Sequence, residues 1–418
     1  MKIRIRKRYL FYVLAFSSAI IAALVSGLDT ISQFYIPDPL ALGVACFVFG
    51  VIISITFSLF FSIKIKGKTI GQKTVDPSFK GARFLRKEEL KYQLLAGSGN
   101  AIMTIGYFML LSITGGNVSV VLPFSQVVIM YLVVIESFDE KDTPTLIEIQ
   151  SAVIVTFGAI LGSLAISNGI SENFIQTILV VFLVINPGWV LLSIYQRKLK
   201  LLKFKDRPND AINIRLWNVI FACIITSLIV IFYDIISSSD HFIQGIIGAV
   251  KNYFWVGLMA VGTFFNFIFY IRALGIGKAS TTQAVKASAI IFSIPVAIFM
   301  GYLGFTAPFT SDPIEIILKL MGIILIMLGI MTYAFTLTKA YIFIHVKPGY
   351  SVEEMVKKLW KIKGVNRVTA VTGHYDIIMK IRTRTLVKGY ERILRKVEEV
   401  PGIDKYRWES VLKEWEDI

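Results

Sequence analysis

Charge is scarce in this chain. Only 17% of its 418 residues are Asp, Glu, Lys or Arg, and 55% are hydrophobic, whereas a soluble globular domain carries roughly 25% charge. That shortage excludes a chain lying wholly in water. Cysteine is scarcer still. Cys46 and Cys223 are the only two, and both stand in apolar runs. They are too few for a disulfide framework or a metal site and read as small buried hydrophobes. His345 and His374 lack the Cys or His neighbours that a metal site needs, so neither metal nor cofactor is expected. No nucleophile–base set or phosphate loop is present, which speaks against an enzyme. The formal net charge is +16. In a soluble protein that would point to nucleic acid. Here the bases are expected to mark cytoplasmic loops and meet anionic lipid, so no nucleic-acid partner is expected.

Long apolar runs are what the chain does have. A spanning helix needs about 20 mostly apolar residues. Ten runs meet that need, at roughly 9–28, 39–63, 92–113, 117–137, 145–167, 173–196, 214–234, 253–271, 280–303 and 314–337. The basic start, Met1 to Arg8, followed by an apolar run without a small-x-small cleavage site, reads as a retained first helix rather than a signal peptide. With the N-terminus inside, Lys64, Lys66, Lys68, Lys73, Lys80, Arg83, Arg86 and Lys87 fall on one inner segment. Arg197, Lys198, Lys200, Lys203, Lys205 and Arg207 fall on another. The outer loops are read as holding Asp29, Asp38, Glu172, Asp240 and Asp312. This is the positive-inside pattern. It predicts a multi-pass protein of the cell (inner) membrane with both termini cytoplasmic.

The segment Tyr107–Thr114 can be laid on Tyr270–Gly277, and five spans are followed by five more. An odd number of spans per repeat forces the two halves, about 1–170 and 171–338, to be inverted. Such repeats are common in secondary transporters, with the substrate near the midplane. The stretch Tyr107 to Gly162 holds a tight helix turn, Val120-Val121-Leu122-Pro123, Glu136 closing the fourth helix, and Gly158 and Gly162 in the fifth. On these residues the chain resembles the drug/metabolite transporter superfamily in its EamA-like branch, over about residues 9–337. The second copy, Phe269 to Gly329, departs from the first: Lys286 stands in place of Pro123 and Phe299 in place of Glu136. The resemblance implies ten helices from a five-helix duplication.

Polar groups at membrane depth usually face a cavity or a partner. The candidates for a substrate pathway are Asn100, Ser125, Gln126, Asn266, Gln283 and Lys286, with Gln283 and Lys286 three apart on one helix face. A buried Lys286 ammonium can attract a carboxylate or phosphate on the cargo; alternatively its stem reaches back to the inner interface. For the amides, hydrogen bonding between helices is the alternative. Asn186-Pro187 and Pro295 are expected to kink their helices. No Asp or Glu is expected deep in a span.

Near Lys339 the pattern switches. Ala340–Val346 is β-branched and aromatic, Ser351 and Glu354 form a capping box, and Val352, Met355, Val356 and Leu359 make one apolar stripe. Strands are expected at 365–372, 376–382 and 406–412, with helices at 352–362 and 386–397. The order βαββαβ is the ferredoxin-like split arrangement. Gly364-Val365, Val371-Thr372-Gly373-His374-Tyr375-Asp376 and Val400-Pro401-Gly402-Ile403 make the segment resemble the effector-binding RAM domain of the Lrp/AsnC family of amino-acid-responsive regulators. The resemblance implies dimerisation, or a higher oligomer, and amino-acid binding at or near the dimer interface. It gives Gly373, His374, Tyr375 and Asp376 as effector-binding residues. The alternative for that turn is structural, with Gly373 making the bend and Asp376 pairing locally.

The expected fold is therefore an α-helical membrane domain of ten spans in two inverted repeats, residues 1–338, with a C-terminal α+β ferredoxin-like domain, residues 339–418. The expected function is transport, as a probable exporter, of small metabolites such as amino acids by alternating access, regulated by an amino-acid effector bound to the cytoplasmic domain. A membrane-anchored receptor without transport, or a transporter whose terminal domain only oligomerises, stand as alternatives.

Overall fold

The structure, a computed structural model, describes residues 7–116, 121–122, 126–140, 146–163, 172–204, 207–306, 313–335, 337–362, 364–384 and 389–410. The first helix, α1, runs Lys7–Tyr35, a full turn and more beyond the end of its apolar run. No breaker stands between Gly27 and Pro37, so the helix continues through Asp29, Thr30, Ser32 and Gln33 until the proline restricts it. Helix α2 follows at Pro39–Ser62. Asp38 caps it by accepting from the Ala41 N–H at 2.7 Å, with Pro39 in the first turn. A two-strand hairpin, β1 (Lys64–Ile65) and β2 (Lys68–Thr69), turns on Lys66 and Gly67, both at positive φ as the tightest hairpin turn requires. The short α3 (Ile70–Thr74) leads to α4 (Lys87–Ile113).

Helices α5 (Val128–Glu140) and α6 (Leu146–Ser163) come next. Then α7 (Glu172–Leu179), a π-helical segment at Val180–Ile185 and α8 (Asn186–Leu201) form one interrupted rod. Pro187 lacks a donor N–H, and the widened turn lies just before it. A second hairpin, β3 (Lys203–Phe204) and β4 (Arg207–Pro208), precedes α9 (Ala211–Ser237), α10 (His241–Lys251), α11 (Tyr253–Leu274), α12 (Ala279–Lys286), α13 (Ala289–Tyr302) and α14 (Pro313–Phe335).

Among the described residues, seven helical stretches are long and apolar enough to cross a membrane: Tyr9–Tyr35, Pro39–Ser62, Lys87–Ile113, Ile175–Leu201, Ala211–Ser237, Tyr253–Leu274 and Ala279–Tyr302. Shorter apolar stretches lie at Ile149–Gly158 and Ile316–Gly329. Ile224, Leu228, Phe232 and Ile235 stand exposed at three- and four-residue spacing on α9. Bare apolar stripes of this kind fit a lipid solvent and not water. These features are consistent with a multi-pass membrane protein.

The principal pairings are α1 on α11, α4 on α8, α2 on α9 and α6 on α14. Small residues set them. A Cβ on Gly99 would lie 2.6 Å from the Leu192 nitrogen and 2.7 Å from the Gly188 oxygen, so α4 and α8 touch backbone to backbone. Gly158 meets the Gly322 carbonyl at 2.7 Å in the same sense, joining α6 to α14. Close approach through glycine is how helices gain contact where no hydrophobic force acts between them.

A polar knot ties the segments at 64–86 and 202–210 together. Lys200 Nζ donates to Asp76 Oδ2 and to the Asn209 carbonyl, each at 2.6 Å, and the Ala211 N–H donates to the same Asp76 oxygen. Beside it Arg83 grips Glu89 with two nitrogens, at 2.6 and 2.7 Å. Burial pushes the Asp76 carboxyl up, but the Lys200 charge and hydrogen bond, with the Ala211 and Ser78 N–H groups, carry it below its ordinary value.

After α14 the chain enters a four-stranded antiparallel sheet: β5 (Leu337–Val346), β6 (Val365–Ala370), β7 (Ile377–Arg384) and β8 (Ile403–Ser410), in the order β6-β7-β5-β8. Helices α15 (Val352–Trp360) and α16 (Gly389–Glu398) complete the βαββαβ order. Ser351 Oγ accepts from the Glu354 N–H, as the capping pattern predicts. Strand alternation sends Ala340, Ile342 and Ile344 into a core with Met355, Leu359, Met379 and Ile393, and leaves Tyr341, Phe343 and His345 half-buried on the other face.

Candidate functional site

A cavity of about 110 Å³ lies among α1, α2, α4, α8, α11 and α12. At roughly 30 Å³ per water in the liquid, it takes a few water-sized groups. Its polar lining includes Asp29, Tyr107, Gln126, Asn266, Gln283 and Lys286, and its rings include Phe108, Trp189 and Phe267.

Four of the six sequence candidates thus meet in one place. Gln283 Nε2 donates to Gln126 Oε1 at 3.3 Å, bridging α12 to the segment before α5. Asn266 Oδ1 accepts from Ser18 Oγ at 2.7 Å, which fixes the amide between α11 and α1. Lys286 is 4% exposed and does not reach back to an interface. Its ammonium lies 4.5 Å from the Trp189 ring centre, 4.7 Å from Tyr270 and 5.8 Å from Phe267, a cation–π enclosure. Among the described residues no carboxylate pairs with it. Immediately after Lys286 the ninth run tightens, the Ser288 N–H donating to the Val285 carbonyl, and the helix goes on from α12 into α13. Pro295 lies inside α13, as expected.

Asn100 does not line the cavity. Its Nδ2 donates to Asn218 Oδ1 at 2.9 Å, a bond between α4 and α9, and this is the helix-bridging alternative for a buried amide. Ser125 lies outside the described residues.

The cavity also corrects the placement of Asp29. It is not in an outer loop but on α1, 7% exposed, where its carboxylate accepts from Tyr107 Oη at 3.0 Å. A carboxylate therefore does stand inside a span. Hydropathy hides it because Asp29, Thr30, Ser32 and Gln33 lower the local average. The absence of any breaker before Pro37 is the signal that reveals it. Glu136, at the end of α5, is likewise buried. It accepts from the Ala279 and Ser280 N–H groups at 2.7 and 3.1 Å, and Arg197 Nη1 lies 3.6 Å away. It caps α12, the helix that carries Gln283 and Lys286, where a negative charge suits the helix N-terminus.

In the C-terminal domain the Gly373–Asp376 turn joins β6 to β7. Gly373 has φ 149, a conformation that favours glycine. Asp376 Oδ2 accepts from the Val346 N–H at 2.7 Å, while the Asp376 N–H donates to the Ile344 carbonyl. The carboxylate thus locks β5 to the turn, the local pairing foreseen as the alternative. Tyr375 stacks near His345 and Phe343, at 4.7 and 5.1 Å between ring centres, and His374 lies 5.1 Å from His345. Gly373, His374, Tyr375 and Asp376 therefore border a partly exposed aromatic patch beside the open face of the sheet.

A search of curated proteins found no match. One solved structure, described only as "Crystal structure of protein", aligns at TM-score 0.45 and 12% identity over 77% of this chain and 95% of its own, a likeness too slight to support any conclusion. Residues 339–417 match the family model of the Lrp/AsnC ligand binding domain, so the chain joins a domain of that family to a helical region with seven candidate membrane spans.

Proposed function

We propose that the protein is a membrane transporter of small metabolites, amino acids or related compounds, working by alternating access between two inverted five-helix halves of the EamA-like kind. Ten spans place both termini in the cytoplasm of the cell that carries it. The observation that carries this reading is the cavity itself, a largely apolar space into which a few polar side chains and a buried cation project between helices of both halves. A closed helical anchor has no use for such a space, since polar groups inside a membrane are costly.

The packing supports the two-fold relation. Adding 163 to Tyr107 gives Tyr270, and adding 163 to Gly99 gives Gly262. Gly99 closes on Gly188 of α8, and Gly262 closes on Val25 of α1, which stands 163 before Gly188. Tyr107 bonds Asp29 of α1, and Tyr270 bonds Ser193 of α8, one position from the counterpart of Asp29. The same exchange converts the α4–α8 pairing into the α11–α1 pairing. Trp189, one turn past the π segment, and Ala289, just past the tightened turn after Lys286, line the cavity, and irregular helices beside the cargo are a feature of transporter binding sites.

Residues 339–418 act as a cytoplasmic amino-acid sensor. Exporting a compound whose accumulation the inner face detects is the simplest logic for that position. Regulation requires the effector to favour one transport state over the other. The half-buried face bearing Tyr341, Phe343 and His345 suits pairing with a second copy. Flux measured in proteoliposomes, with single amino acids on either side, tests the transport reading; absence of flux for all of them favours a receptor. Flux that is unchanged when residues 340–418 are removed discards the regulatory claim.

A further inference from the structure

Behind the cavity wall lies a second cation. Arg215 is on α9, outside the cavity lining and 2% exposed. Its Nε and Nη1 are buried with no hydrogen-bond partner among the described residues, and no carboxylate there pairs with it. Its guanidinium carbon sits 4.3 Å from the centre of Phe267, the ring that Lys286 approaches at 5.8 Å. Phe267 lines the cavity. The two cations therefore share one aromatic partition, Lys286 reaching it from the cavity and Arg215 touching the same ring.

More unmet polar atoms stand beside Arg215. Gln93 donates to the carbonyl of its neighbour Ile214 but leaves its own Oε1 unsatisfied. Asn218, one turn along α9, accepts from Asn100 but leaves Nδ2 unsatisfied. An ionised group buried without a partner is heavily penalised. Two of them against one ring, with amides on hand, is a costly arrangement for a fold to keep unless an anion visits it. Asp29, the carboxylate that lines the cavity, is held by Tyr107 and forms an ion pair with neither cation.

We infer that Lys286 and Arg215 are successive stations for one carboxylate group of the cargo, with Phe267 the partition that the carboxylate passes on its way between the cavity and the α4–α9 seam. The cargo class is thereby a small organic carboxylate, with or without an amino group. This rests on the reading of the cavity as the cargo path.

The test uses the full chain in detergent, with calorimetric titration of L-leucine, 4-methylpentanoate, L-leucinamide and 3-methylbutylamine. The first two carry a carboxylate, and the last two do not. The difference between the native chain and Lys286→Met isolates the cavity from the C-terminal domain, which both share. The two carboxylates are expected to bind in a Lys286-dependent manner, with about 10- to 100-fold loss in Lys286→Met and in Arg215→Gln, and with Arg215→Lys restoring most of it. The amide and the amine are expected to show no Lys286-dependent binding. Equal Lys286-dependent binding of leucine and leucinamide overturns the inference, and so does an Arg215→Gln chain that binds carboxylates normally. If Arg215→Gln does not fold, Arg215→Lys and the native probe series decide. Carboxylate-selective binding without flux in proteoliposomes leaves a two-cation carboxylate site standing but removes the transport reading and, with it, the passage between the two stations. Flux indifferent to the carboxylate overturns this inference alone.

Discussion

Among the described residues, Lys200 and Asp76 form the most deeply buried ion pair, with side chains 8% and 4% exposed. Replacing Lys200 with Met leaves the Asp76 carboxylate buried with only the Ala211 and Ser78 N–H groups as partners. Removing one partner of a buried pair costs about 3–5 kcal/mol. Lys200→Met also frees the Asn209 carbonyl, and the two residual N–H bonds offset part of the loss, which places this variant near 3 kcal/mol. Asp76→Leu strands the ammonium and both N–H donors, which places it nearer 5 kcal/mol. The double variant strands no charge. It is expected to be no less stable than Asp76→Leu alone, a coupling of about 3 kcal/mol. Unfolding by SDS in mixed micelles, followed by tryptophan fluorescence, measures all four corners of the cycle. Single effects that add to within about 0.5 kcal/mol would refute the account of this knot as one interacting unit.

Further outcomes follow from the same geometry. Because the folded Asp76 carboxyl lies below its ordinary value, its contribution is present above about pH 4 and lost as pH falls through the folded value. The melting temperatures of the native chain and Asp76→Asn are therefore expected to converge in acid. Gly99→Ala forces a methyl to 2.6 Å from backbone and is expected to cost about 1–3 kcal/mol. Gly43→Ala, whose nearest neighbour would be 3.8 Å away, is expected to be neutral or to gain up to about 1 kcal/mol; thermal melting in detergent ranks the two. His241 is raised by its hydrogen bond to Asp234, which outweighs the opposing effect of burial, with the Asp38, Asp234 and Asp240 charges adding to the rise. Its contribution is present below about pH 6.5 and lost as pH climbs through the raised value. A His241→Gln chain is expected to lose that slope in a melting series across neutral pH.

The two ends of the chain were not equally legible. The C-terminal domain is water-soluble in pattern, so its period-two strands, the Ser351 cap and the Pro401-Gly402 step reveal the topology to within a few residues. Two strands begin three residues before their expected starts, at Leu337 rather than Ala340 and at Ile403 rather than Tyr406, the second because Asp404 and Lys405 dilute the strand pattern. In the helical region hydropathy finds each long run but not its ends. It stops α1 at Leu28 and so hides Asp29 in a loop, though Pro37 is the first true breaker. Lys286, Gln283, Gln126 and Asn266 were visible as polar residues in apolar runs, and they converge. Asn100 looked the same and does not, because only tertiary packing decides whether an amide meets a cavity or Asn218. The tightened turn after Lys286 has no sequence mark, since Ala287 and Ser288 are ordinary helix residues. Arg215 and Trp189 carry no sequence signal of their own, since each is a single residue at a place that only tertiary packing defines.

The central claim is that the cavity around Lys286 is the path of the cargo. Counterflow uptake of labelled L-leucine into proteoliposomes preloaded with unlabelled L-leucine tests it most directly, with the native chain beside Lys286→Met at matched incorporation. The account predicts concentrative exchange by the native chain and a fall of about tenfold or more in the variant. Native exchange that Lys286→Met leaves unchanged would contradict it.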